Sequence, residues 1–498
     1  MPTMTFEEQV GRVIIAVWRG ESEEIAAQVA LGRAGGLYIP AEAAPAEGEL
    51  TATLNRLQRL ATHPLLCLAD AEGGLGPFVP GGLALAAARR IDLARRAGAQ
   101  AAAEARARGI QLVLAPPFDV PRGASPLPGP CLGDNPSLVA HLGAAFVEGC
   151  QAAGAFAVGR YFPGRGGAAY DAQKHLAVLS PNRLALEKID LAPYAEACRA
   201  GLGAIMTGHL HVPALDTLAN RLATHSSAVV EGLLRGSLQF QGPVLSSDLD
   251  APEVNARYGP AEAAVLAFAA GHDLLVTGHP AEVYRALYEV LLHGDIPPAR
   301  LHEAVARVEA ARQRLAEGPC AGEEALAAGP ELAREVARAS LVAIRGRPHL
   351  VARRRPLVIA QRLAPASGET LRRLAASRLP GAGVHLLDAE PAPAQLETVM
   401  PATASAGAAL LVVERSPGGW EGDALSEATI DLAQALKQRG LPLGVALIGD
   451  PSALPRFAAS DLLLYLPGSA APHLEALFAY LGGEFEPTGR LPIFVPGL

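Results

Sequence analysis

Short apolar runs, each closing in a turn and each followed by a longer stretch with helical spacing of apolar residues, mark the chain as far as about residue 280. They are Val13–Trp18, Gly36–Pro40, Leu65–Asp70, Leu112–Phe118, Phe156–Phe162, Ile205–Val212, Val244–Leu249 and Leu274–Thr277. Between them, Ala84–Arg108, Pro136–Ala153, Glu187–Ala200 and Ser226–Leu238 set apolar residues three and four apart, the pattern of helices with one buried face. Eight such alternations predict an α/β fold that opens with a (β/α)8 TIM-type barrel, because an open doubly wound sheet commonly stops at about five or six strands. Chemistry in a barrel gathers where the strands end. Asp70, Arg160, His209, Ser247 and Asp248 are therefore candidates by position.

A helical pattern over Ala299–Leu315 is followed by Glu317–Gly329, rich in Gly, Ala and Glu in the manner of a linker. Beyond it, buried-strand candidates at Pro356–Ala360, Val384–Leu387, Ala408–Val413, Leu443–Ile448 and Leu462–Leu466 alternate with helical segments that include Leu425–Lys437 and Pro472–Leu481. That alternation predicts a smaller three-layer α/β sandwich. The expected boundaries are a barrel over 1–318, a linker over 319–330 and the sandwich over 331–498.

Composition narrows the function classes. Half of the 498 residues are hydrophobic and 18% are charged, which excludes wholesale disorder. The net charge is −8 with no run of five or six like charges, so neither nucleic acid nor an anionic membrane is an expected partner. No stretch approaches 18 consecutive apolar residues, and the first residues lack the basic and then apolar segments of a signal peptide, so a cytoplasmic protein is expected. Cys67, Cys131, Cys150, Cys198 and Cys320 are scattered without a C-x-x-C pair and read as buried free thiols. His209 and His211 share a strand face with no Cys or Asp at ligand spacing, so no metal is expected. Gly164-Arg165-Gly166-Gly167 lacks the Gly-Lys-Ser/Thr of a phosphate loop and reads as turn chemistry, leaving no cofactor to expect.

Several stretches resemble motifs of one family in its order. Asp70-Ala71-Glu72-Gly73-Gly74 resembles D-Q-E-G-G, and Leu112–Asp119 resembles L-V-L-A-P-V-x-D. Phe162-Pro163-Gly164 sits where the family writes K-H-F-P-G-H-G-D-T, and Met206-Thr207-Gly208-His209 with Pro213-Ala214-Leu215-Asp216 resembles M-T-A-H with P-A-L-D. Phe240–Asp250 is similar to F-D-G-V-V-I-S-D-D-L-x, and Gly483–Pro492 to G-E-x-x-P-S-G-R-L-P. These are motifs of glycoside hydrolase family 3, in the two-domain form of its β-N-acetylglucosaminidase (β-N-acetylhexosaminidase) branch.

The resemblance implies retaining hydrolysis, in which a carboxylate attacks the acetal carbon and a second group protonates the leaving oxygen. Without gaps, the nucleophile position falls on Ser247 and the acid/base histidine on Gln173, after Asp171. A serine hydroxyl is neutral near pH 7 and an amide has no proton to give, so both usual catalytic groups are replaced. Two substitutes are open: a bulge in the seventh strand would carry Asp248 to the nucleophile position, and His175 lies two residues past Gln173 in the same loop. On an undistorted strand Asp248 would point away from where Ser247 points. The sugar-binding Lys-His reads Arg160-Tyr161, the His after F-P-G reads Arg165, the Asp of G-D-T reads Gly167, and the Arg of G-R-S-F-G falls on Pro130. Asp70 is the expected holder of sugar hydroxyls, His209 either lines the pocket or bonds backbone, and Glu72 reads as a structural loop acid.

Three classes of function follow: a family 3-like protein that recognises a terminal β-linked amino sugar or cell-wall fragment with hydrolysis lost or weakened, an active glycosidase using Asp248 with Asp171 or His175, and a structural or regulatory protein. The implied role is in cell-wall recycling, and the oligomeric state leaves no trace in the sequence.

Overall fold

The computed structural model describes residues 4–20, 22–43, 48–70, 78–122, 130–171, 176–318, 326–415 and 425–498. Two compact units are formed, one from Met1–Val79, Ile91–Val120 and Val139–Gly329, the other from Pro80–Arg90, Pro121–Leu138 and Pro330–Leu498.

The first unit opens with strands β1 (Ile14–Val17), β2 (Gly36–Ile39), β3 (Leu66–Asp70), β4 (Leu112–Leu114) and β5 (Phe156–Phe162). A hairpin, β6 (Ala169–Asp171) and β7 (Leu176–Val178), precedes β8 (Ala204–Thr207), β9 (Leu210–His211), β10 (Val244–Leu245) and β11 (Leu275–Thr277). Eight of these form one parallel sheet in the order β10-β8-β5-β4-β3-β2-β1-β11. A parallel bridge between Leu245 and Leu274, with Ser246 N on Leu274 O at 3.0 Å, joins its two ends and closes the barrel. The strands read as unbroken apolar runs because both faces are covered, as in β1, β3 and β4, where every residue is buried. Ile15, Val17, Leu66, Leu68, Leu112, Leu114, Val158, Met206, Leu245 and Val276 share one cluster with Val308, Ala311 and Leu315 of the helix Pro298–Glu317. Each large apolar side chain so buried contributes about 1.5–3 kcal/mol.

Several expected strands are shorter than the apolar runs that predict them, and Leu112–Phe118 keeps only Leu112–Leu114. Ile205–Val212 divides at Gly208-His209, because β9 leaves the barrel to pair with β7 in a separate sheet, β6-β7-β9. Val244–Leu249 keeps regular strand pairing only through Leu245; beyond it Ser246 N bonds Leu274 O at 3.0 Å and Leu249 N bonds Val276 O at 2.9 Å, so this segment advances three residues while its neighbour advances two.

In the second unit, β12 (Val342–Arg345), β13 (Pro356–Gln361), β14 (Gly383–Leu387), β15 (Ala408–Arg415), β16 (Leu443–Gly449) and β17 (Leu462–Leu466) form a sheet in the order β12-β17-β16-β15-β13-β14. All pairs are parallel except β12 on β17, and β12 is a strand the hydrophobic pattern does not reveal. Val358, Ala360, Leu410, Val412 and Ile448 pack on one face with the helices Pro365–Arg378 and Ala471–Leu481. Their strand neighbours Leu357, Ile359, Leu411, Val413 and Leu447 pack on the other with Pro393–Ala402 and Glu427–Gln438. That alternation makes three layers. Two barrel-region segments also belong to this unit: Arg490 N donates to Ala87 O at 3.0 Å, Phe494 N to Asp134 Oδ2 at 2.5 Å, and Leu83 and Cys131 pack with Ile493 and Val495. Of the expected linker, 319–325 lie outside the described residues. No helix among the described residues is long and apolar enough to cross a membrane.

Candidate active site at the barrel mouth

The carboxyl ends of β2, β3 and β5 carry a continuous chain of polar contacts. Asp70 ends β3 with its side chain 7% exposed, its Oδ1 2.5 Å from Arg160 Nη1. Its Oδ2 accepts from the Tyr38 hydroxyl at 2.9 Å and from Ala41 N at 3.4 Å. Arg160 Nη2 donates to the Tyr161 hydroxyl at 2.5 Å, and the Arg165 guanidinium lies 3.7 Å from the centre of the Tyr161 ring. Arg165 then reaches Asp119, whose Oδ1 accepts from its backbone N at 2.7 Å and whose Oδ2 accepts from its Nε at 3.2 Å. The order is thus Tyr38, Asp70, Arg160, Tyr161, Arg165, Asp119.

The local backbone explains why these side chains meet. Gly159 pairs with Ile205 but Phe162 with Thr207, so β5 gains a residue relative to β8 and bulges at Arg160-Tyr161. Tyr161 takes φ +57°, a left-handed conformation that few non-glycine residues adopt and that needs surrounding support. Tyr194 supplies it: its hydroxyl donates to the Arg160 carbonyl oxygen, and its ring packs 5.1 Å from Phe118 and 5.0 Å from Phe162. The bulge therefore re-aims two consecutive side chains at the mouth. Burial and the neighbouring Asp70 carboxylate hold the Tyr38 hydroxyl far above its ordinary range, so it stays protonated as a donor. Burial pushes the Asp119 carboxyl up, against the pull of Arg165.

The loop after β10 is built differently. Ser246 Oγ accepts from Val276 N at 2.9 Å, while Ser247 Oγ donates to Thr207 O at 2.6 Å. Asp248 Oδ2 meets Arg19 Nη2 at 2.5 Å, and its Oδ1 accepts from Asp250 N at 3.0 Å, closing an Asx turn on itself. Asp250 accepts from Gly278 N. His209 Nε2 donates to the Asp248 carbonyl oxygen at 2.8 Å and Nδ1 faces Thr224 Oγ1 at 2.9 Å, so its ring bonds backbone and hydroxyl. Burial, with the Asp250 charge behind it, raises the Asp248 carboxyl, and burial lowers His209.

Residues 5–311 match the model of the glycosyl hydrolase family 3 N terminal domain. The chain belongs to glycosyl hydrolase family 3. It is 35% identical over 271 residues to the beta-hexosaminidase of Thioalkalivibrio sulfidiphilus (strain HL-EbGR7), covering 51% of this chain and 77% of that one. It is 31% identical over 328 residues to the beta-N-acetylglucosaminidase/beta-glucosidase of Cellulomonas fimi, covering 60% and 58% respectively. A family 3 beta-N-acetylglucosaminidase from Paenibacillus sp. str. FPU-7 has the same fold, with TM-score 0.85 at 24% identity over 99% of both chains.

In this family 3 chain the structure brings Asp70, Arg160, Tyr161 and Arg165 into contact, and puts Ser247, Asp248 and His209 together around the end of β10. Gln173, His175 and Glu72 lie outside the described residues. So does the Asp171 side chain, whose backbone pairs with Leu176 across the β6-β7 hairpin. Pro130 is exposed in the Pro121–Leu138 segment of the second unit. Sequence reasoning misses Tyr38, Asp119 and Arg19. Their signals are present, since Asp119 closes the L-V-L-A-P-P-F-D stretch and Arg19 directly follows the first apolar run. Among the described residues no group of three or more His, Cys, Asp or Glu is arranged to hold a metal ion.

Proposed function

We propose that this family 3 chain recognises a terminal β-linked amino sugar at the barrel mouth, and that standard retaining hydrolysis is lost or strongly weakened. The observation that carries the second clause is the Ser247 hydroxyl, whose proton is spent on the Thr207 carbonyl oxygen at 2.6 Å. A carbonyl oxygen accepts a hydrogen bond but takes no proton, so Ser247 has no base to make it a nucleophile. Being neutral, it also gives an oxocarbenium-like transition state no opposing charge. Gln173 at the acid/base position supports the same conclusion, because an amide cannot protonate a leaving oxygen. The first clause draws on the retained polar chain of Asp70, Arg160, Tyr161 and Arg165, which offers donors and acceptors to sugar hydroxyls, and on relatives named for hexosaminidase activity.

The proposal extends to a cell-wall fragment as ligand and to the cytoplasm as the place of work. Cys67, Cys131, Cys150 and Cys198 are free thiols, as a reducing compartment favours, and Cys320 lies outside the described residues. Titrating N-acetylglucosamine into the wild type and into Arg160→Ala tests the binding clause. Saturable binding weakened at least tenfold by the substitution is expected, and absence of binding by the wild type contradicts it.

A second reading makes Asp248 the nucleophile. It is favoured by the loss of regular strand pairing after Leu245, which frees Asp248 from strict alternation with Ser247. Against it stands the engagement of both carboxylate oxygens, one by Arg19 and one by the turn.

A further inference from the structure

We propose that Arg19 is the positioning residue of Asp248: from the end of β1 it crosses the end of β11, fixes the carboxylate in one orientation, and keeps it bonded rather than free to attack. The inference deepens the reading above and rests on Asp248 facing the same mouth. Arg19 and Asp248 are 229 positions apart in sequence, and the sheet order β10…β1-β11, closed by the Leu245–Leu274 bridge, puts β11 between their strands.

Gly278, the residue after β11, leaves the room for this crossing. A Cβ there would push into Asp250 Oδ2 at 2.8 Å, the carboxylate that its own N–H serves, while Arg19 Nη1 would lie in ordinary contact at 3.8 Å. Arg19 pairs with Asp248 Oδ2 among the described residues, while Asp248 Oδ1 is held by Asp250 N. An arginine fork suits this task because it grips a carboxylate oxygen in a fixed plane, which the compact ammonium of lysine does not. A carboxylate held this way has one oxygen's charge countered at 2.5 Å, which weakens it as a nucleophile.

The groups facing Asp248 are few. Arg19 comes from the β1 end, Asp250 from the same turn, and His209 touches the Asp248 carbonyl oxygen. His279, 3.8 Å from Asp250 Oδ1, follows β11. Glu253 bears on His209.

The test is the carboxyl titration of Asp248, followed by NMR in the full-length, ligand-free protein, for the wild type, Arg19→Ala, Arg19→Lys and Gly278→Ala. Removing the cation is expected to raise the Asp248 midpoint by about one pH unit, with Arg19→Lys recovering most of the shift. Gly278→Ala, which leaves Arg19 in ordinary contact, is expected to move it far less than Arg19→Ala. A midpoint unmoved in Arg19→Ala overturns the proposal. Arg19 is 56% exposed, so loss of the fold does not confuse the result. Failure of the sugar-binding reading would show separately, as no ligand binding with the Asp248 titration still shifted by Arg19→Ala.

Discussion

The two sides of the barrel mouth treat charge in opposite ways. On the β3 and β5 side, Asp70 and Asp119 are nearly buried and each faces an arginine, with Tyr161 stacked between the two guanidiniums. Arg160, Tyr161 and Arg165 thus put two cations and a hydroxyl into one polar surface. On the β10 side the Ser247 hydroxyl is absorbed into the strand end, and the neighbouring Asp248 is tied to Arg19. Behind that side lies a buried network of neutral groups. His272 Nδ1 donates to Ala267 O at 2.9 Å and its Nε2 faces Thr207 Oγ1 at 2.8 Å. One side pairs its buried charges across a polar surface, and the other spends its hydroxyl and carboxylate on local contacts.

Acid should separate the two sides most strongly. Burial lowers His225 to about 4 and His272 to about 3. An unfolded histidine titrates near 6.5, so the unfolded chain binds these protons first. The stability both rings contribute is fully present above about pH 6.5 and is lost as pH falls towards 4 and then 3. These two rings contribute about 5 kcal/mol of the loss between pH 6.5 and 4.5, and His63 and His473, each lowered to about 4, add to it in denaturant unfolding. Replacement of His272 by glutamine should remove about 2–3 kcal/mol of the total dependence, and an unchanged slope would show that the β10 side is not held by neutral imidazole.

Asp119→Ala is the next largest. It leaves the mostly buried Arg165 guanidinium without its counter-ion, at an expected cost of about 3–5 kcal/mol in urea unfolding. A cost below about 1 kcal/mol would mean that solvent screens the β5 side as it does an exposed pair. Ser247→Ala should cost about 1 kcal/mol through the unpaired Thr207 carbonyl and leave turnover of aryl β-glycosides unchanged. A fall in turnover would give Ser247 a chemical role. Arg19→Ala sits at the bottom of the scale, at no more than about 1 kcal/mol, because that side chain is half exposed.

How much of this was legible follows the range of the interactions. Strand-helix alternation is a local property, and it announced the barrel and the three-layer sheet. The short pairs β6-β7 and β7-β9 were not legible, because two or three residues carry no periodicity and the pairing depends on chain brought back from elsewhere. The edge strand β12 has the burial of an exposed-edge ribbon, with only Val342 buried, so no apolar run marks it. At the site, Arg160, Tyr161 and Arg165 are neighbours in sequence, and resemblance singles them out together with Asp70. Tyr38, Asp119 and Arg19 meet their partners across 32, 46 and 229 positions, contacts that only the closed barrel creates. A bulge in β5 re-aims Arg160 and Tyr161, and the seventh strand also gains a residue, between the Ser246 N to Leu274 O and Leu249 N to Val276 O bonds.

The most direct test of the central claim is turnover of a panel of aryl β-glycosides, led by the N-acetylglucosaminide, by the wild type and Asp248→Asn side by side. Removal of a working nucleophile costs several orders of magnitude, so the two proteins separate clearly if Asp248 carries the reaction. The account predicts that both stand at the background rate while N-acetylglucosamine still binds the wild type. Wild-type turnover abolished by Asp248→Asn would contradict it and show that Asp248 carries the reaction.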